Sequence, residues 1–190
     1  MLSSIHPLGE RARHNRWVIT VTAYSLAAVA AGAAVGAGLG WVGSLLPLGE
    51  TPQRWGLVTV ALVAGLLDLT RVAPPGPARQ VNERWIGQYR GWVYGAGFGA
   101  QLGLGAATFV VTWGVYAVYL VELLAGSAIA GAVIGAVFGA GRALAPLAAG
   151  WIDRPSRLTA FHRLMRRLGP PARTATGVLL VIVAILGLVG

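Results

Sequence analysis

Cysteine is absent from the 190 residues, which removes disulfides, thiolate metal sites, iron–sulfur ligation and any thiol relay. Lysine is absent as well, so all 15 basic residues are arginine, a side chain that holds its charge at a membrane surface where lysine can lose it. Acidic residues number six, and charged residues make up 11% of the chain against 56% hydrophobic. A chain of this length cannot hide that much apolar surface in one soluble core. The three histidines, His6, His14 and His162, all lie in polar segments outside the apolar runs, so no span offers an axial ligand to a membrane haem. No His, Asp and Glu set has metal-ligand spacing. No glycine-rich loop is followed by lysine to cradle phosphate, and no serine stands beside a base as a nucleophile. The sequence therefore assigns no catalytic residue, no metal and no cofactor.

What is present is a series of long apolar runs. A transmembrane helix takes roughly 20 mostly apolar residues, and five runs bounded by charge, proline or tryptophan are candidates: Trp17 to about Leu46, Trp55 to about Leu69, Trp92 to about Leu124, Ser127 to Ala149 and Thr174 to Val189. The expected fold class is an all-α, polytopic transmembrane helix bundle of about five spans. Its expected parts are a cytoplasmic segment (1–16), a first transmembrane hairpin (17–71), a basic loop (72–91), a second hairpin (92–149), a basic amphipathic surface helix (150–173) and a final span (174–190). The first and third runs, about 45 Å each as helices, exceed one crossing and must tilt, bend or protrude. The run from Trp17 is about twice the length of a signal-peptide apolar region and lacks a small-x-small cleavage site, which favours an uncleaved first span.

Arginine placement orients this path. Arg11, Arg13 and Arg16 precede the first run; Arg71, Arg79, Arg84 and Arg90 follow the second; Arg154, Arg157, Arg163, Arg166, Arg167 and Arg173 follow the fourth. Positive residues in short loops stay on the cytoplasmic side, so the N-terminus is expected inside a bacterial cytoplasmic membrane and the C-terminus outside. The same distribution, flanking spans instead of forming one face of a soluble domain, argues against nucleic acid as the partner of this +9 chain. Trp17, Trp85, Trp92 and Trp151 fall at the expected inner boundary, and Trp41 and Trp55 at the outer one.

Glycine recurs every four residues: Gly32, Gly36 and Gly40 in the first run, Gly91, Gly95, Gly99 and Gly103 in the third, Gly131, Gly135 and Gly139 in the fourth. On helices these line single faces where backbones approach closely, and in lipid such packing takes over from the hydrophobic effect. A bare-backbone path for a small solute or quinone headgroup is the sharper alternative. The hairpins also resemble each other. Trp17-Val18 matches Trp92-Val93 at an offset of 75, and Gly65-Leu-Leu-Asp68 matches Gly139-Ala-Gly-Arg142 at an offset of 74, as in a parallel repeat.

Pro155 to Leu168 reads as an amphipathic helix with Asp153 as N-cap. Leu158, Phe161, Leu164, Met165 and Leu168 share one side, while Arg157, Arg163, Arg166 and Arg167 are spread over the rest to meet anionic headgroups. Gly169-Pro170-Pro171 is expected to end it. Charges at membrane depth are the default place to seek function, and Asp68, Glu122 and Arg142 qualify. Under the repeat, Asp68 and Arg142 occupy equivalent positions and could pair. In the third run Gln101, Thr108 and Thr112 come near one face, as a polar track or as bonds to neighbouring helices.

Tyr94-Gly-Ala-Gly-Phe-Gly-Ala-Gln-Leu-Gly-Leu-Gly105, followed by Ala-Ala-Thr108, resembles the glycine-rich spans of the CcdA/DsbD-type membrane proteins. The resemblance covers the third and fourth runs and implies a related scaffold. That family works through paired cysteines, which this chain lacks, so the resemblance implies no redox activity. Two functions follow. One is a non-catalytic membrane subunit or scaffold of a larger complex, partnered by lipids and by other subunits or itself. The other is a small-solute or ion transporter or channel using Asp68, Glu122 and Arg142.

Overall fold

A computed structural model describes residues 5–77, 84–107 and 110–189. Arg79 and Thr108 lie outside the described residues. Every regular element is helical: α1 (Pro7–Ala12), α2 (Trp17–Ser44), α3 (Glu50–Leu69), α4 (Trp85–Gln88), α5 (Gly91–Gly103), α6 (Gly114–Leu124), α7 (Ala128–Ala148) with a 3₁₀ turn (Ala149–Trp151), and α8 (Pro155–Val189). Among the described residues three helices are long and apolar enough to cross a membrane: α2, α7 with its turn, and α8. These three, and not five, meet that requirement. α3 has the length but carries Glu50, Arg54 and Asp68.

Glycine spacing dictates the core. α2 and α7 run antiparallel with their glycines face to face. A Cβ on Gly32 would lie 2.2 Å from the Gly135 carbonyl oxygen, one on Gly36 2.0 Å from that of Gly131, and one on Gly40 2.2 Å from that of Ser127. Gly139, the next α7 glycine of the four-residue series, meets the Ala28 carbonyl oxygen in the same way at 2.2 Å. α5 lies parallel to α2 on another of its faces: Gly91 approaches the Thr20 hydroxyl, and Gly95, Gly99 and Gly103 approach the carbonyl oxygens of Thr20, Tyr24 and Ala28. No side chain separates these backbones. Tyr24, Ala28, Tyr94, Phe98, Leu102 and Ala143 fill the remaining space at the lower end of this seam. The two segments matched by the offset of 75 therefore stand side by side and parallel, whereas α2 and its chain neighbour α3 scarcely touch.

α3 packs instead against α8, antiparallel, with Gly65 against Gly177 and Arg54 donating to the Gly187 carbonyl at 2.9 and 3.1 Å. Asn15, Trp17, Gly91, Gly150 and Ile152 come together at one end of the bundle. Arg16, Arg90 and Arg154 are their chain neighbours, so we call this the basic end.

Three expected elements take other forms. The single third span is two helices, because α5 stops where Gly105 adopts φ +76, and Tyr119 holds the turn through the Leu104 carbonyl and the Ala106 N–H. α3 begins at Glu50, ahead of the expected start at Trp55, since Pro52 in its first turn gives up only an N–H that has no intrahelical partner. The surface helix and the final span form one 35-residue helix, α8, that passes through Pro170 and Pro171. The carbonyls those prolines leave unbonded belong to Arg166 and Arg167, which are exposed. Continuation beyond the prolines is fixed by Arg173 on α3. At the start of α8 Asp153 is not the cap; it pairs with Arg157 at 2.9 Å and Arg154 at 3.7 Å, and Pro155 opens the helix. Phe161 is buried against Ala149 and Ile152, with Leu158 and Met165 beside it, so part of the apolar side is covered by α7's end. Leu164 and Leu168 stay exposed.

Candidate functional site

Three acidic side chains are buried, and their surroundings differ. Asp68, 1% exposed, sits on the last turn of α3. Its Oδ1 accepts from the Trp113 N–H at 3.0 Å and from Arg173 Nε at 3.1 Å, and its Oδ2 accepts from the Thr112 hydroxyl. Arg173 also reaches the Val72 carbonyl at 2.6 Å, which Trp113 Nε1 meets at 2.8 Å. Asp68 thus ties together α3, α8 and the strand of chain that leads into α6. Its partner is Arg173 and not Arg142; the pairing expected from the repeat is not formed. Arg142 lies 5.5 Å over the Phe138 ring on its own helix, a cation–π arrangement. A cavity of about 530 Å³ opens beside the pair, lined by Arg71, Thr112, Pro170 and Thr176 among others.

Glu10, fully buried, was not singled out in the sequence. Tyr94 donates to it at 2.5 to 2.6 Å, the Thr20 hydroxyl at 3.0 Å and Arg13 at 2.5 Å. This network docks α1 on α2 and α5. Burial, followed by the Arg13 guanidinium, lowers the pKa of nearby His6 from its ordinary 6.5. Its neutral Nδ1 caps α1 by accepting from the Gly9 N–H at 3.1 Å.

Glu122, 1% exposed, projects from α6 into the α2–α7 seam. Its Oε1 lies 3.2 Å from where a Gly36 Cβ would be and 3.0 Å from that of Gly135, and its Oε2 has no hydrogen-bond partner among the described residues. The missing side chains of those glycines make the room it occupies.

Thr112 is turned to Asp68 and Gln101 is half-buried on α5, on the other side of the break, while Thr108 lies outside the described residues. Of the arginines assigned to lipid, Arg163, Arg166 and Arg167 are exposed, whereas Arg157 is partly covered and bonds to Asp153 and the Trp151 carbonyl. Arg173 was grouped with the surface helix, yet it is the counter-ion of Asp68. The available signal was its place beside the final span, matching an acid at the end of the second run. Among the described residues no group of three His, Asp, Glu or Cys side chains could hold a metal ion.

Together these features give a chain that is helical among the described residues, with three helices long and apolar enough to cross a membrane, a backbone-packed core and buried acids. Over 154 residues, 75% of this chain, it is 33% identical to the methylamine utilization protein MauF of Methylophilus methylotrophus, and the match takes in 52% of that protein. The chain thus spans about half the length of the curated relative it matches. No family model matches the sequence, and no solved structure matches it.

Proposed function

We propose that this chain is a non-catalytic, membrane-embedded accessory subunit that serves bacterial use of small amines. The observation that carries the reading is its similarity to MauF, a methylamine utilization protein, over three quarters of its length. Its helices support it: an apolar face of α8 is left uncovered, with Leu179, Val183 and Leu186 all more than half exposed. Such faces suit lipid or a neighbouring subunit. In this reading the chain crosses the cytoplasmic membrane five times, with the broken α5–α6 pair counted as one crossing and the basic end in the cytoplasm. Arg163, Arg166 and Arg167 meet anionic headgroups there. The transporter reading loses two of its three charges, since Asp68 is committed to Arg173 and Arg142 to Phe138.

The test is the native mass of the tagged protein extracted from its own membranes in mild detergent, with co-migrating chains identified by mass spectrometry. A stoichiometric complex with other chains, and loss of growth on methylamine when the gene is deleted, are expected. A lone or self-associated chain, dispensable for growth on amines, would overturn the reading.

A further inference from the structure

Glu122 has everything a buried carboxylate needs except compensation. The walls around it are glycine backbone, whose N–H groups are engaged in the helices α2 and α7. Between Gly32 and Gly43 on α2, and between Ala128 and Gly139 on α7, no side chain is titratable. On α6 the neighbouring titratable group is Tyr119, whose hydroxyl is spent on Leu104 and Ala106. From α3 come the amide Gln53, which lies near Gly126, and Arg54, bound to the Gly187 carbonyl. Arg142 is turned to Phe138. A bare carboxylate in such a place is an uncompensated charge, unlike Asp68 and Glu10, each of which collects three or more donors. A divalent metal would need several oxygen ligands, and among the described residues no group of three His, Cys, Asp or Glu side chains could hold one.

We propose that Glu122 is a proton-binding site at the junction of α2, α6 and α7, a carboxyl that takes up and releases one proton inside the bundle. The ligand is the smallest cation there is, which the glycine notch admits without displacing either helix. This inference is independent of the amine-utilisation reading and of which partner the chain has.

Hydrophobic carbodiimide tests it on the full chain in membranes. The carboxylic O–H adds across one C=N bond of the reagent, oxygen to carbon and proton to nitrogen, so only the protonated acid reacts and nothing leaves. Expected are an adduct of dicyclohexylcarbodiimide at Glu122, a yield falling about tenfold or more between about pH 6 and about pH 9, and no adduct in folded Glu122→Gln. A yield independent of pH, or one blocked by sodium ions at constant pH, would overturn the proposal, the latter by making a metal ion the ligand. Infrared spectra decide without the reagent having to enter. A protonated-carboxyl C=O band present in wild type, lost on alkalinisation and missing in Glu122→Gln is expected, and identical spectra for the two proteins would overturn it.

Discussion

The two halves of the bundle are built on opposite principles. In α2, α5 and α7 backbone meets backbone along glycine faces, and cohesion is spread over seven close approaches. In α3 and α8 the approach is looser, since a Cβ on Gly65 would meet the Gly177 carbonyl oxygen at 2.9 Å instead of about 2 Å, and cohesion is concentrated in Asp68 and Arg173 at one end and Arg54 at the other. A spread interface tolerates loss of any polar group but no added carbon; a concentrated one behaves the other way.

The largest expected effect breaks the first half. Gly36→Leu puts side-chain atoms where the Gly131 carbonyl already is, and should abolish the folded protein, whereas Gly38→Leu, with nothing within 4 Å of its Cβ, should leave it intact. Overpacking commonly costs about 1–3 kcal/mol, and a clash of backbone on backbone exceeds that range. Detergent-solubilised yield and thermal stability of the two variants measure the contrast. Equal behaviour of the two would mean that the seam does not exist.

Second comes the concentrated half. Arg173→Ala leaves Asp68 buried with only Thr112 and Trp113 as donors, and breaking one side of a buried pair costs about 3–5 kcal/mol. The double variant Asp68→Asn with Arg173→Met should recover much of that loss, and the thermal melts of single and double variants test it. Failure of the double variant to recover stability would show that the pair does more than neutralise itself.

The smallest effect lies outside both halves, on α1. Because His6 binds its proton less readily folded than unfolded, its contribution is present above its ordinary pKa of 6.5 and is lost as pH falls below that value and through the lowered pKa of the folded state. Wild type should lose up to about 1 kcal/mol between about pH 7.5 and about pH 5.5 relative to His6→Asn, a cap that does not titrate. Parallel melts at the two pH values check this, and identical pH dependence of the two proteins would remove His6 as the cap.

The glycine half was legible in the chain because a four-residue period is a local signal that survives folding unchanged. The other half was not. The break after Gly103 depends on one glycine, Gly105, taking a positive φ among many that do not, and on Thr112 and Trp113 being drawn to Asp68. Asp68 and Arg173 are 105 residues apart, and an offset argument pointed instead to Arg142. Pro170 and Pro171 signalled a helix end by their local chemistry, which the contacts of Arg173 override. Glu10 lay in a short polar stretch with no periodicity to mark it, although Pro7 three residues earlier is the kind of residue that opens a helix.

A seam that repeats every four residues looks the same after sliding by four residues, about 6 Å. Its middle rungs, Gly32 on Gly135 and Gly36 on Gly131, cannot tell one register from the next. The ends can: Gly43 is wedged under the Leu123 carbonyl, Gly40 meets Ser127, the cap of α7, and Trp17 closes over Gly150. Alignment of the two longest-packed helices is therefore set at their extremities, and the uniform stretch between them works as a track along which those stops hold one position.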